Sequence, residues 1–279
     1  MTLSIGRLRT PPRGEQRGPA AQTVFRQTLL AQRESCRVLV GLISDIHGNR
    51  PALDAVLAEL EREDVDQIVC LGDVAVGPQP AEALAGVREL DCALVVGNWD
   101  AAFLGDMPAP QNEIATMLVE TATWWAGFLS PADREFIQSF RPQLELDLDG
   151  RAALCFHGSP RSFDDWIIAT TPADDELRPM LDGVQETLLI GGHTHVQMVR
   201  RLGETMIVNP GSVGLPFREW PPRPVRISPW AEYGILSAQD GRLSVDLRRV
   251  GYDVEAFLKL SLESGMPHAE WWVSCWERD

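Results

Sequence analysis

The 279-residue chain reads as an α/β protein, with a βαβ first half and a second half built from hairpins. Three observations predict this. Apolar runs and helical patterns alternate from residue 38 to residue 96, and each run ends on Asp or Asn. Asp-Gly or Gly-Glu pairs then split three later apolar stretches, and such pairs are strong hairpin signals. An apolar content of 44% is enough for a sizeable core.

The elements follow in order. A strand over 38–44 ends at Asp45, and Pro51 opens a helix over 51–61 with Ala52, Ala55, Val56 and Glu59 in helical register. A second strand, 67–71, ends at Asp73; a helix follows over 80–90, and a strand over 93–96 ends at Asn98. Ligand-type residues always at the C-terminal strand end predict parallel strands with right-handed crossovers. Residues 112–140 read as two helices broken at Ser130-Pro131, serine as cap and proline at the first helical position. Trp124, Trp125 and Phe128 are expected to be core or helix-packing aromatics there rather than a ligand platform. Hairpins are predicted for 144–148 with 152–156 around Asp149-Gly150, for 198–202 with 205–208 around Gly203-Glu204, and for 232–238 with 243–249 around Asp240-Gly241. Residues 214–229 hold five prolines and no periodicity, so they read as an irregular loop.

Charge is unevenly placed. Residues 1–37 carry seven Arg against Glu15 and Glu34, a net of +5, which leaves −20 for the rest of a chain whose total is −15. A body that acidic is a poor partner for DNA or RNA, whose binding depends on basic surface. The basic start reads as an extension, and it lacks the apolar segment of a secretory signal. No run approaches the roughly 18 apolar residues of a membrane span. The five cysteines form no C-x-x-C pair, and Cys70 and Cys155 fall in predicted buried strands, which fits a reducing cytoplasm.

Four of the five histidines sit in segments of one kind: Asp45-Ile46-His47, Gly72-Asp73, Gly97-Asn98-Trp99-Asp100, Phe156-His157-Gly158 and Gly192-His193-Thr194-His195. Loops at strand ends are where open α/β sheets place ligand sites. Asp, Asn and imidazole suit Mn, Fe, Zn or Mg better than a thiolate-seeking metal. Asp45, His47, Asp73, Asn98, His157, His193 and His195 suffice for two divalent ions with one carboxylate between them. Such a pair of ions, about 3.5–4 Å apart, lowers the pKa of a bridging water and offsets charge on a phosphate ester. In D-x-H the alternating side chains point the same way and can reach one ion. His268 has no ligand-type neighbour and reads as a surface histidine.

Taken in order, D-x-H, G-D, G-N-x-D, H-G and G-H-x-H resemble the calcineurin-like metallophosphoesterases. Ser44-Asp45-Ile46-His47-Gly48-Asn49, Gly72-Asp73-Val74, His157-Gly158-Ser159-Pro160 and Asn209-Pro210-Gly211-Ser212-Val213-Gly214 resemble their small bacterial and archaeal phosphodiesterase-like branch, over about residues 38–258. The resemblance implies a four-layer α/β/β/α sandwich of two mixed sheets with flanking helices. It divides the chain into a basic extension at 1–36, a metallophosphoesterase domain at 37–265 and a Trp-rich tail at 266–279. It assigns Asp45, His47 and His195 to one metal, Asn98, His157 and His193 to the other, and Asp73 to both. Asp73, Asn98 and His157 become the catalytic candidates. The implied cofactors are two divalent ions from among Mn, Fe, Zn, Ni and Mg, with Mn favoured. Asn49, Arg50, Arg161 and Arg218 are the candidates for substrate contact.

One departure matters. The family's third motif is usually G-N-H-D or G-N-H-E, whose histidine protonates the leaving oxygen or binds phosphate; here Trp99 stands in that slot. An indole N–H donates a hydrogen bond but delivers no proton. The loss should tell most on poor leaving groups, and Asp100 is left with a capping or structural role. Protein Ser/Thr phosphatases carry arginines where this chain has Val96 and Val74-Ala75-Val76, which argues against that activity. The reading is a cytoplasmic dinuclear phosphoesterase that hydrolyses small phosphodiesters through a metal-bridging hydroxide. The alternatives are a phosphomonoesterase on a nucleotide or sugar phosphate and an inactive metal-binding scaffold, for which Trp99, Trp271, Trp272 and Trp276 speak. The expected partner is a small phosphate ester rather than nucleic acid or a membrane, and a homo-oligomer stays open.

Overall fold

A computed structural model describes residues 37–220 and 223–277; the basic extension expected at 1–36 lies outside the described residues. The first half alternates as expected: β1 (Val38–Ile43), α1 (Arg50–Arg62), β2 (Gln67–Cys70), α2 (Pro80–Glu89) and β3 (Ala93–Leu94). Helices α3 (Asn98–Leu104), α4 (Glu113–Ala126) and α5 (Pro131–Gln138) follow. Next come β4 (Leu144–Leu148), β5 (Arg151–Cys155), the one-turn α6 (Asp174–Leu177), β6 (Leu188–Ile190), β7 (Met198–Leu202) and β8 (Thr205–Asn209). The chain closes with β9 (Phe217–Glu219), β10 (Arg226–Ile227), β11 (Ala231–Gln239), β12 (Arg242–Val250), α7 (Val254–Glu263) and α8 (Ala269–Ser274).

Two five-stranded mixed sheets result, ordered β12-β11-β1-β2-β3 and β4-β5-β6-β8-β7. β1, β2 and β3 run parallel, β11 pairs antiparallel with β1, and the second sheet has parallel β5, β6 and β8 between antiparallel edges. Both sheets thus combine crossover and hairpin connections, which is why the sequence reads as βαβ first and hairpins later. Val40, Leu42, Val69, Leu71, Cys155, Leu188, Ile190 and Val208 form the layer between the sheets. Being buried on both faces, these strands read as continuous apolar runs rather than alternating ones. Behind the first sheet lie the helices: Leu53, Val56 and Leu60 of α1, Leu84 of α2, Trp125 of α4, Phe257 of α7 and Trp272 of α8. Asn49 starts α1 by accepting from the Ala52 N–H, and Ser130 and Asp133 cap α5 reciprocally.

The fourth layer is thin. Ile167 and Leu177 cover Leu154, Phe156, Leu189 and Ile207, and buried Arg200 ties this segment to β7 through the Ile168 and Pro172 carbonyls and Asp174. The proline-rich loop expected at 214–229 is corrected in part: β9 and β10 pair antiparallel within it. Their ladder is extended by the chain end, since Ile227 donates to Cys275 O and Glu277 donates back to Ile227 O. The Trp-rich segment after 265 packs inward, with Trp272 against Trp125 and Phe257 and with Trp276 against Phe257. His268 is exposed and pairs with Glu120 at 2.7 Å.

Candidate metal centre

The ligand-bearing loops are laced to one another by backbone hydrogen bonds at one edge of the sandwich. After β1, Asp45, His47 and Gly48 donate to the carbonyls of Gly72, Asp73 and Val74, which joins the first loop to the second. Asp100, fully buried, accepts from the N–H groups of Asp73 (2.7 Å), Val74 (3.1 Å) and Gly97 (3.2 Å), which joins the second loop to the third. That is the structural role expected for it. Burial, then the neighbouring Asp73 charge, raises its carboxyl to about 7. Gly97 is required at its place, because a Cβ there would overlap the Asp73 carboxylate. Gly192 donates to His157 O, and Gly214 donates to Asp45 O, so the later loops close the ring. Asp45, His47, Asp73, His193 and His195 all have φ between 51° and 68°. Left-handed backbone costs a non-glycine residue roughly 1–2 kcal/mol and concentrates at functional sites.

Five side chains converge: Asp45, His47 and His195 form one group of metal-ligating atoms, and Asp45, Asp73 and His157 a second. Each of three imidazoles is held by a backbone carbonyl: His47 Nδ1 by Val76 O (3.1 Å), His157 Nδ1 by Leu71 O (2.6 Å) and His195 Nδ1 by Leu215 O (2.8 Å). A carbonyl only accepts, so in each ring Nδ1 carries a hydrogen and Nε2 points inward. Burial works against the charged His157 ring, but Asp73 and Asp45 raise it to about 9. His193 is pushed down to about 3 by burial and by His157, which keeps its ring neutral. Burial likewise opposes ionisation of Asp45, yet His195 and His47 hold its carboxyl well below the usual range.

These residues fit divalent cations. His47 Nε2 and His195 Nε2 lie 3.0 Å apart. With both Nδ1 atoms protonated, the two neutral rings set their lone pairs facing each other, a repulsion that a metal ion or a proton between them relieves. Asp45 Oδ1 is buried without a hydrogen-bond partner and stands 3.3 Å from His195 Nε2, 3.8 Å from His47 Nε2 and 4.0 Å from His157 Nε2. Its other oxygen is occupied by the Ser44 hydroxyl (2.6 Å) and the His193 N–H (3.0 Å). Asp73 Oδ2 lies 3.5 Å from His157 Nε2 and 3.9 Å from His47 Nε2, between the two groups. Asn98 Oδ1 is 3.1 Å from His157 Nε2. Ligands bound at about 2.1 Å and separated by 90–109° sit roughly 3.0–3.4 Å from each other, the range the shorter separations occupy.

His193 stands at the edge, its ring centroid 5.1 Å from that of His157. The substrate candidates sit differently. Asn49 is buried, with its amide spent on the α1 cap, the Gly214 carbonyl and the Tyr252 hydroxyl. Arg161 pairs with Asp165 and Arg218 with Glu277, both at 2.7 Å, and Arg50 pairs with Asp54. Sequence reading missed Phe217, stacked on His195 at 4.4 Å, and Trp166, edge-on to His193 at 6.1 Å. It also missed Ser212, whose hydroxyl donates to Asp45 O. The serine lies in a motif already noted, Asn209–Gly214; the aromatics carry no local signal.

Comparison with known proteins agrees with this fold. The calcineurin-like phosphoesterase superfamily domain matches residues 38–227. The chain belongs to that superfamily, whose members use divalent metals and hydrolyse phosphoesters. An uncharacterized protein of Methanocaldococcus jannaschii is 27% identical over 250 residues, covering 84% of this chain and 95% of that one. The crystal structure of a metallophosphoesterase from Sphaerobacter thermophilus is similar at 29% identity with a TM-score of 0.65, covering 85% and 98% of the two chains. A hypothetical protein of Pyrococcus horikoshii OT3 shares the fold at 22% identity and a TM-score of 0.68, covering 82% and 94%. Among the described residues, no helix is long and apolar enough to cross a membrane.

Proposed function

We propose that the protein is a dinuclear metal-dependent phosphodiesterase acting on small diesters. Asp45, His47 and His195 would hold one ion, Asn98, His157 and His193 the other, and Asp73 both; manganese is our first choice of metal. The observation that carries this is the partnerless Asp45 oxygen facing three imidazole Nε2 atoms. When bound, the ions supply Lewis acidity toward phosphate oxygens and an acidified water. The chain's own part is to fix the imidazoles through the Val76, Leu71 and Leu215 carbonyls and to hold Asp73 by the backbone N–H of Trp99 at 2.9 Å.

A diester is favoured over a monoester on charge. A monoester dianion calls for basic clamps, whereas Arg161 and Arg218 are already paired with acids. The scaffold alternative loses support, because Trp272 and Trp276 are spent on the core. The test compares turnover of bis(p-nitrophenyl) phosphate and p-nitrophenyl phosphate by manganese-loaded protein. Preference for the diester is expected; monoester preference would shift the reading to a phosphomonoesterase, and metal binding without turnover of either would favour a scaffold.

A further inference from the structure

The segment after His157 carries a carboxylate that the metal centre does not use. Ser159 and Ser162 exchange backbone hydrogen bonds of 2.8 and 3.3 Å, which turn the chain back on itself just after the histidine. The turn is tight against Gly158, where a Cβ would lie 2.5 Å from the Phe163 carbonyl oxygen. Two acids follow, with different fates. Asp165 accepts from the Ser159 hydroxyl and from Arg161, both at 2.7 Å, so it is fully employed. Asp164 has an oxygen, Oδ1, that is buried without a hydrogen-bond partner. Asp45 and Asp164 are the two acids among the described residues in that condition, and Asp45 is a metal-ligand candidate. The neighbours of Asp164 flank the centre: Phe163 presses on Gly158, and Trp166 meets His193 edge-on.

Phosphodiester cleavage leaves an alkoxide that needs a proton, and Trp99 beside Asp73 cannot give one. We propose that Asp164 is the catalytic acid that protonates the leaving-group oxygen, an inference that rests on the phosphodiesterase reading above. In the step, a water oxygen bonds to phosphorus while the bond from phosphorus to the leaving oxygen breaks. The bond pair passes to that oxygen, which takes the Asp164 proton as the attacking water loses one. The products are an alcohol and a phosphomonoester, and solvent reprotonates the carboxylate. Burial first, and then the charges of Asp73 and Asp165, raise the Asp164 carboxyl above its ordinary range, against a lowering by His157. Arg161 faces Asp165 rather than Asp164, and His193, kept neutral, adds no charge.

The test measures kcat/KM for a series of diesters of rising leaving-group pKa, with metal content, for the parent, Asp164→Asn and Asp164→Glu. The parent should show a shallow dependence, and its rate on alkyl diesters should fall as pH rises and Asp164 deprotonates. Asp164→Asn should keep its metal, lose about 10²–10⁴-fold on alkyl diesters and about tenfold or less on p-nitrophenyl diesters, and lack that alkaline fall. Asp164→Glu should recover much of the alkyl activity. Equal slopes for parent and Asp164→Asn would overturn the assignment, as would metal loss from both variants. A metal-loaded parent inactive on every diester would instead refute the phosphodiesterase reading itself.

Discussion

Two oxygens of Asp73 do different work, one held by the backbone N–H of Trp99 and the other facing His157 and His47. Asp73→Asn should therefore lose more metal than Asn98→Ala or His195→Ala, as read by elemental analysis of the purified variants. Gly97→Ala should act on the same carboxylate by pushing it aside, with about tenfold weaker metal binding in a titration. Unaltered affinity would mean the loop yields at no cost. The His157 proton gives a pH prediction. Its folded-state value near 9 lies above the ordinary 6.5, so in metal-free protein the proton stabilises the fold fully below pH 6.5 and the contribution is lost as pH rises toward 9. Urea unfolding of chelator-treated protein across that window should show the decline, and metal uptake should strengthen over the same range. The five converging side chains were legible because few residue types bind hard cations and each sits at a strand end. The carbonyls that orient the imidazoles were not, because Val76, Leu71 and Leu215 act through backbone atoms that any residue supplies.

Elements with a local signal were legible: proline in the first turn of α1 and α2, the Ser130 cap, and the Asp149-Gly150 and Asp240-Gly241 turns all stand where expected. The β9–β10 pair was not, since it is only two or three residues long on each side and Ile227 finds its further partners at Cys275 and Glu277, some fifty residues on. This small ladder carries Phe217 onto His195, so Phe217→Ala should loosen the ring and lower metal content with little loss of fold. On α8, Trp272 packs among Trp125, Phe257 and Trp276. Trp272→Ala should cost about 3–5 kcal/mol in denaturant unfolding, the range for truncating a buried large aromatic. A cost below 1 kcal/mol would show that the helix is peripheral.

At the scale of the molecule, two sheets packed face to face bring loops from residues 45 to 217 to one edge, and no single element could assemble that centre. The charge reading belongs here too: a body at −20 suits a small diester held by metal ions better than a long polyanion. The central claim is that the converging carboxylates and imidazoles hold two ions. Elemental analysis of manganese-loaded protein after desalting, parent beside Asp73→Asn, tests it most directly. The account predicts about two equivalents per chain in the parent and well below one in the variant. Two equivalents retained in Asp73→Asn, or one at most in the parent, would contradict it.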